Sequence, residues 1–210
     1  MESINAQDEL AFIKKVIQDS RRVAVYNGID YIVWGILVAL GMFLSVALIW
    51  FKLEHKFGSW TQLVLWILVM GGGWIFSLVR HYRNNATERV HTMSGTILSM
   101  LWLACGITIM TFIFVGAPFE QVNPTPAIAA VLGIGFLVSG VLLDFVYFKL
   151  AAIGWWLGSL LMFYLNSPWA RPKGLNFHID MLLFGTMMIL FQVVPGIILY
   201  RRWREEVGKV

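Results

Sequence analysis

Residues 126–165 read PAIAAVLGIGFLVSGVLLDFVYFKLAAIGWWLGSLLMFYL, and Asp144 and Lys149 are the only charges in the stretch. As one helix it would be about 60 Å long at 1.5 Å per residue. That is about twice the hydrocarbon thickness of a bilayer. The chain therefore has to turn near Asp144–Lys149, although neither Gly nor Pro stands between them. Two spans follow, at about 126–143 and 149–165. The span count of the whole chain depends on this turn.

The rest of the chain fits the same solvent. Of 210 residues, 59% are hydrophobic and 13% are charged. A soluble domain carries roughly a quarter charged residues. Apolar blocks at about 31–51, 60–79, 93–115 and 180–200 are each long enough to cross a membrane, which takes about 20 residues. Polar stretches separate them: Lys52 to Gly58, Arg80 to Arg89, and a connection marked by Pro118, Asn123-Pro124 and Pro126. Asn166-Ser167-Pro168 through Gly174 forms the last. The expected fold is all-α: a six-transmembrane-helix bundle over residues 29–200, with a basic tail at 201–210.

Before the first span, residues 1–28 hold an amphipathic segment. Leu10, Ile13, Val16, Ile17, Val23 and Ala24 recur at helical spacing between 8 and 24, with Lys14, Lys15, Asp19, Arg21 and Arg22 on the other face. Glu2, Asp8 and Glu9 exclude a signal-peptide reading of this region. Its acidic and basic residues balance, so it is not a polybasic lipid switch.

Orientation follows from charge. Arg and Lys in short loops stay on the cytoplasmic side. Twelve of the 16 basic residues fall on one side: Lys14, Lys15, Arg21, Arg22, Arg80, Arg83, Arg89, Lys149, Arg201, Arg202, Arg204 and Lys209. Lys52, Lys56, Arg171 and Lys173 fall on the other. Both termini are expected in the cytoplasm. The net charge of +4 thus reports topology and not nucleic-acid binding, because the basic residues sit at the ends of apolar blocks.

No Asp, Glu, Lys, Arg or His lies in the middle of a span. Intramembrane charges usually mark ion paths or proton relays, so their absence argues against an ion-coupled carrier of ordinary design. Asp30, Asp144 and Asp180 stand at span ends as polar caps. Glu54, His55, His178 and Asp180 form an external polar group of residue types that can ligate zinc, but their spacing is not diagnostic and solvated loop residues explain them better. No nucleophile is paired with a base, and no cofactor is expected. Cys105 is the only cysteine, which rules out an intrachain disulfide.

Small residues supply the remaining candidates. Gly154 and Gly158 make a G-x-x-x-G pair, suited to helix packing within the chain or to a homo-oligomer face. Gly71-Gly72-Gly73 and Pro195, with Gln192 nearby, mark possible helix breaks along a solute path. Among ten tryptophans, Trp50, Trp60, Trp169 and Trp203 suit interfacial belts, and Trp66, Trp102, Trp155 and Trp156 sit deeper. Ile29-Asp30 with Gly35 resembles Ile179-Asp180 with Gly185, but so short a match arises easily by chance in apolar sequence, and it joins span one to span six, not to span four as a three-plus-three inverted repeat requires.

Leu10-Ala11-Phe12-Ile13, Ser20-Arg21-Arg22, Gly28 and Trp34-Gly35 resemble the opening of uncharacterised small bacterial multi-span inner-membrane proteins. The resemblance covers about the first 40 residues. It implies a bacterial inner-membrane location and carries no activity or site. The functional expectation is a non-enzymatic accessory, sensory or regulatory subunit acting in the lipid bilayer through a protein partner or a second copy. The alternative is a small transporter or channel for a neutral or lipid-like solute, alone or as a dimer.

Overall fold

The computed structural model describes residues 28–52, 58, 60–85, 93–116, 123–167 and 178–207. The amphipathic segment expected at 8–24 lies outside these residues, as do Glu54 and His55. The described residues are helical and contain six helices long and apolar enough to cross a membrane.

Helix α1 spans Gly28–Trp50 and α2 spans Trp60–Asn85. Helix α2 runs on through Arg80, Tyr82 and Arg83, which the sequence reading placed in a loop. Helix α3 spans Met93–Thr111 and passes into a π turn at Phe112–Gly116. Helix α4 spans Thr125–Leu142 and α5 spans Val146–Asn166. Helix α6, His178–Met188, continues through a π turn at Ile189–Val193 into α7, Val194–Val207. Together α6 and α7 make one apolar span of 27 residues, Ile179–Glu205. The expected basic tail is therefore helical as far as Val207.

The turn between α4 and α5 falls at Leu143–Phe145. Asp144 takes the left-handed conformation, φ 47°. Its N–H donates to the Val141 carbonyl at 3.3 Å, and the Phe145 N–H donates to the Gly140 carbonyl at 2.9 Å. These two bonds make a Schellman motif, with Asp at the position glycine usually takes. Asp tolerates left-handed backbone better than most residues do. Phe145 then folds into the core and is buried. A glycine does serve this turn, four residues before Asp144: a Cβ on Gly140 would meet the Lys149 backbone nitrogen at 2.8 Å. Gly140 is what lets α4 and α5 leave the turn in contact.

Both π turns end two residues before a proline, Pro118 in one case and Pro195 in the other. Proline has no N–H and its ring collides with the carbonyl four residues back. A π turn relieves the clash by adding one residue to the turn. At Pro195 the Val194 N–H reaches back five residues to the Ile189 carbonyl. The expected break at Pro195 is thus a bulge in a continuous helix.

Helices α1, α4, α5 and α6 form the core. Tyr31 of α1 meets Phe148 of α5 with ring centres 4.7 Å apart, and Phe136 of α4 meets Phe148 at 5.2 Å. Trp155 of α5 meets Phe184 of α6 at 5.3 Å. Helices α2 and α3 stand outside this core: α2 packs on α1, and α3 packs on α4. Only 11% of each of their spans is buried, against 56% for α4.

Candidate functional site

Glycine brings α1 and α6 together as an antiparallel pair. A Cβ on Gly35 would strike Val193 at 2.6 Å and Gln192 at 3.2 Å. A Cβ on Gly185 would strike Phe43 at 2.9 Å and Met42 at 3.3 Å. No larger residue fits at either place without moving its neighbour.

Three polar groupings surround this seam. The first gathers at Tyr31. Its hydroxyl donates to Ser139 Oγ at 3.3 Å and accepts from Trp102 Nε1 at 3.1 Å. Trp102 Nε1 also reaches Ser139 Oγ at 3.2 Å, and Ser139 donates to the Gly135 carbonyl at 2.7 Å. Gln192 donates to the Tyr31 carbonyl at 3.2 Å. Side chains from α1, α3 and α4, with Gln192 from the π turn, thereby satisfy one another where no water reaches.

The second grouping lies at the opposite end of the bundle. Asp180 is buried in the first turn of α6. Its Oδ2 accepts from Asn123 Nδ2 at 2.8 Å and from Asn166 Nδ2 at 2.7 Å. Asn123 Oδ1 in turn accepts from the Thr125 N–H at 3.0 Å and its hydroxyl at 2.6 Å, capping α4. The helix N-terminus favours a carboxylate in this position. Asp180 therefore staples the ends of α4, α5 and α6. The third grouping is an ion pair at the first end, where Arg80 of α2 donates to Asp30 of α1 at 2.7 Å.

The sequence candidates separate in space. Asp180 joins asparagines, while the His178 side chain lies outside the described residues. Among the described residues no three His, Cys, Asp or Glu side chains gather as a metal site would require. Gly154 and Gly158 face inward: a Cβ on the first would meet the Phe191 ring and on the second would meet Met187. They pack α5 on α6 and the following π turn, and are not an outer face. Of the glycine triplet, Gly73 lies under the Trp34 ring, and a Cβ on Gly71 or Gly72 would meet nothing within 4 Å. The triplet does not break α2.

No protein-family model, curated protein or solved structure matches this chain.

What the sequence reading missed lies between elements. Tyr31 and Ser139 belong to no motif, Asn123 and Asn166 read only as loop markers, and only folding brings each set together. The same holds for a groove of about 590 Å³ between α2 and α3, lined by Trp74, Trp102, Leu103, Gly106, Ile107 and Met110 among others. It is apolar, and its Trp102 wall ends in the Tyr31 hydrogen bonds.

Proposed function

We propose that this chain is a non-enzymatic multi-pass protein of a bacterial inner membrane, working as an accessory, sensory or regulatory subunit through contacts along its α2–α3 edge. In this reading the basic end of the bundle, with Asp30–Arg80 and α7, faces the cytoplasm. The observation that carries it is the separation of α2 from α3. Consecutive helices that bury so little of themselves leave a long seat within the membrane. Gly106 and Thr111 line it, a Cβ on Gly106 would meet nothing within 4 Å, and Thr96, Ser99, Thr108 and Thr111 of α3 are exposed. Gly, Ser and Thr are the residues enriched where membrane helices meet.

A photoreactive residue at Leu103 or Ile107 tests this in living cells, with Leu157 and Leu160 on the outer face of α5 as controls. The expected result is a protein adduct of one discrete mass from α3, lost with Gly106→Leu. Lipid adducts alone, equal at all four positions, would refute the reading.

A second reading, a small transporter or channel for a neutral or lipid-like solute, is favoured by the antiparallel α1–α6 pair. Inverted elements packed about an axis in the membrane plane recur in secondary transporters. Flux of a solute into liposomes holding the pure protein would decide for it.

A further inference from the structure

The short repeat noted in the sequence has a spatial counterpart. Ile29-Asp30 and Gly35 of α1 recur 150 residues later as Ile179-Asp180 and Gly185 of α6. The contacts obey the same offset: Gly35 meets Gln192 and Val193, and Gly185 meets Met42 and Phe43. Exchanging the two helices turns one set of contacts into the other. Each aspartate also ties the N-terminus of its helix to the C-terminal part of an antiparallel neighbour, Asp30 to Arg80 of α2 and Asp180 to Asn166 of α5. In these contacts α1 and α6 are inverted equivalents about their seam.

Equivalent in shape, the two ends of the seam differ in what crosses it. At the Asp30 end, Tyr31 hydrogen-bonds across to Ser139 and receives Gln192. At the Asp180 end every polar tie among the described residues stays on one side. Gln62 holds the Ser45 carbonyl within α1–α2, and Asn123 and Asn166 hold Asp180 within α4–α6. Only apolar contacts such as Gly185 on Phe43 cross there. In lipid such contacts lack the hydrophobic driving force that water supplies, so packing alone holds them.

We infer that the α1–α6 seam is a hinged contact: it opens at the Asp180 end and pivots on Tyr31. The Asp180–Asn123–Asn166 staple moves as a unit with α4–α6, and Gln62 moves with α1. Opening leaves the Tyr31 bonds in place. The inference stands whether or not the α2–α3 edge meets a partner.

Double electron–electron resonance on the full chain in lipid nanodiscs tests it, in a Cys105→Ser background. One label pair, at Trp50 and Ile179, spans the Asp180 end of the seam. The other, at Ile29 and Arg201, spans the Tyr31 end. The expected result is a single narrow distance at the Tyr31 end and a second, longer population at the other, displaced by about 5 Å, on the order of one helical turn. Equally narrow distances at both ends, or a broader one at the Tyr31 end, would overturn the hinge. A Tyr31→Phe and Gln192→Leu double variant should broaden the Tyr31-end distance. If that variant folds and the distance stays narrow, the pivot is not Tyr31. If it does not fold, the comparison of the two ends in the parent decides alone.

Discussion

Asp144 shows how much one residue can carry without a recognisable motif. The need for a turn there came from length, because a single helix over 126–165 would be twice as long as the membrane is thick. The kind of turn could not be read, because Asp at a Schellman position looks like any interfacial acid. Left-handed backbone costs an L-residue roughly 1–2 kcal/mol, so Asp144→Gly should stabilise the protein by about 1 kcal/mol. Asp144→Val, β-branched and poorly tolerated at positive φ, should destabilise it by a similar amount. Thermal unfolding in detergent reads both, and a Val variant as stable as the parent would contradict the turn. The glycines divide on the same principle. Gly140→Ala drives a methyl into the Lys149 backbone nitrogen, which cannot yield as a side chain can. A loss of about 1–3 kcal/mol is expected, as for overpacked cores. Gly72→Ala meets empty space and should gain up to about 1 kcal/mol of helix propensity. Sequence reading grouped Gly72 with its neighbours as a helix break. Only the structure shows that one glycine of the triplet is under Trp34 and the other two face outward.

At the scale of the element, the helices were legible from apolar length, and their ends were not. Helix α2 keeps turning through Arg80, Tyr82 and Arg83 because nothing in that stretch stops a helix. Polarity alone had suggested a loop. The π turn in the last span was also hidden, since Pro195 signals trouble without saying whether the helix breaks, kinks or bulges. Packing on both sides selected the bulge. Asp180 and Gly185 fix the rotation of α6, while Gly196 fixes α7 against Gly28 and Ile32 of α1. These two anchors fit together only if one extra residue lies between them. Deleting Leu190, half-exposed within the bulge, should convert the π turn to α and leave both anchors in register. The expected cost is that of proline inside a regular helix, about 3 kcal/mol. Deleting Leu182 removes the same kind of residue from the regular part of α6. It should rotate Asp180 by about 100°, one residue of a helix with 3.6 per turn, away from Asn123 and Asn166. Size-exclusion profiles and thermal melts of the two deletions should differ sharply. If they lose equal stability, the bulge is not a register device.

For the whole molecule, the sequence held the class of fold and the number of spans, because the solvent writes both into composition and block length. The pairing of α1 with α6 was present only as a seven-residue echo, too short to weigh before the contacts were seen. Orientation stands between these cases. The fold puts Arg80, Arg83, Lys149 and Arg201 at one end and Lys52 at the other, in line with the division of the basic residues. That the basic end faces the cytoplasm is our proposal, resting on the retention of Lys and Arg during insertion. Single cysteines in a Cys105→Ser background test that step. Lys52→Cys lies in the exposed turn after α1, and Arg201→Cys lies on the exposed face of α7. A membrane-impermeant maleimide should label Lys52→Cys in intact spheroplasts and reach Arg201→Cys only after permeabilisation. The reverse pattern would place the basic end outside. It would also move the opening end of the seam to the cytoplasm, since the Tyr31 pivot and Asp180 sit at fixed and opposite ends of the same helix pair. Labelling of both positions from one side is incompatible with the fold itself, because α1 separates its basic end from Lys52 by 23 helical residues.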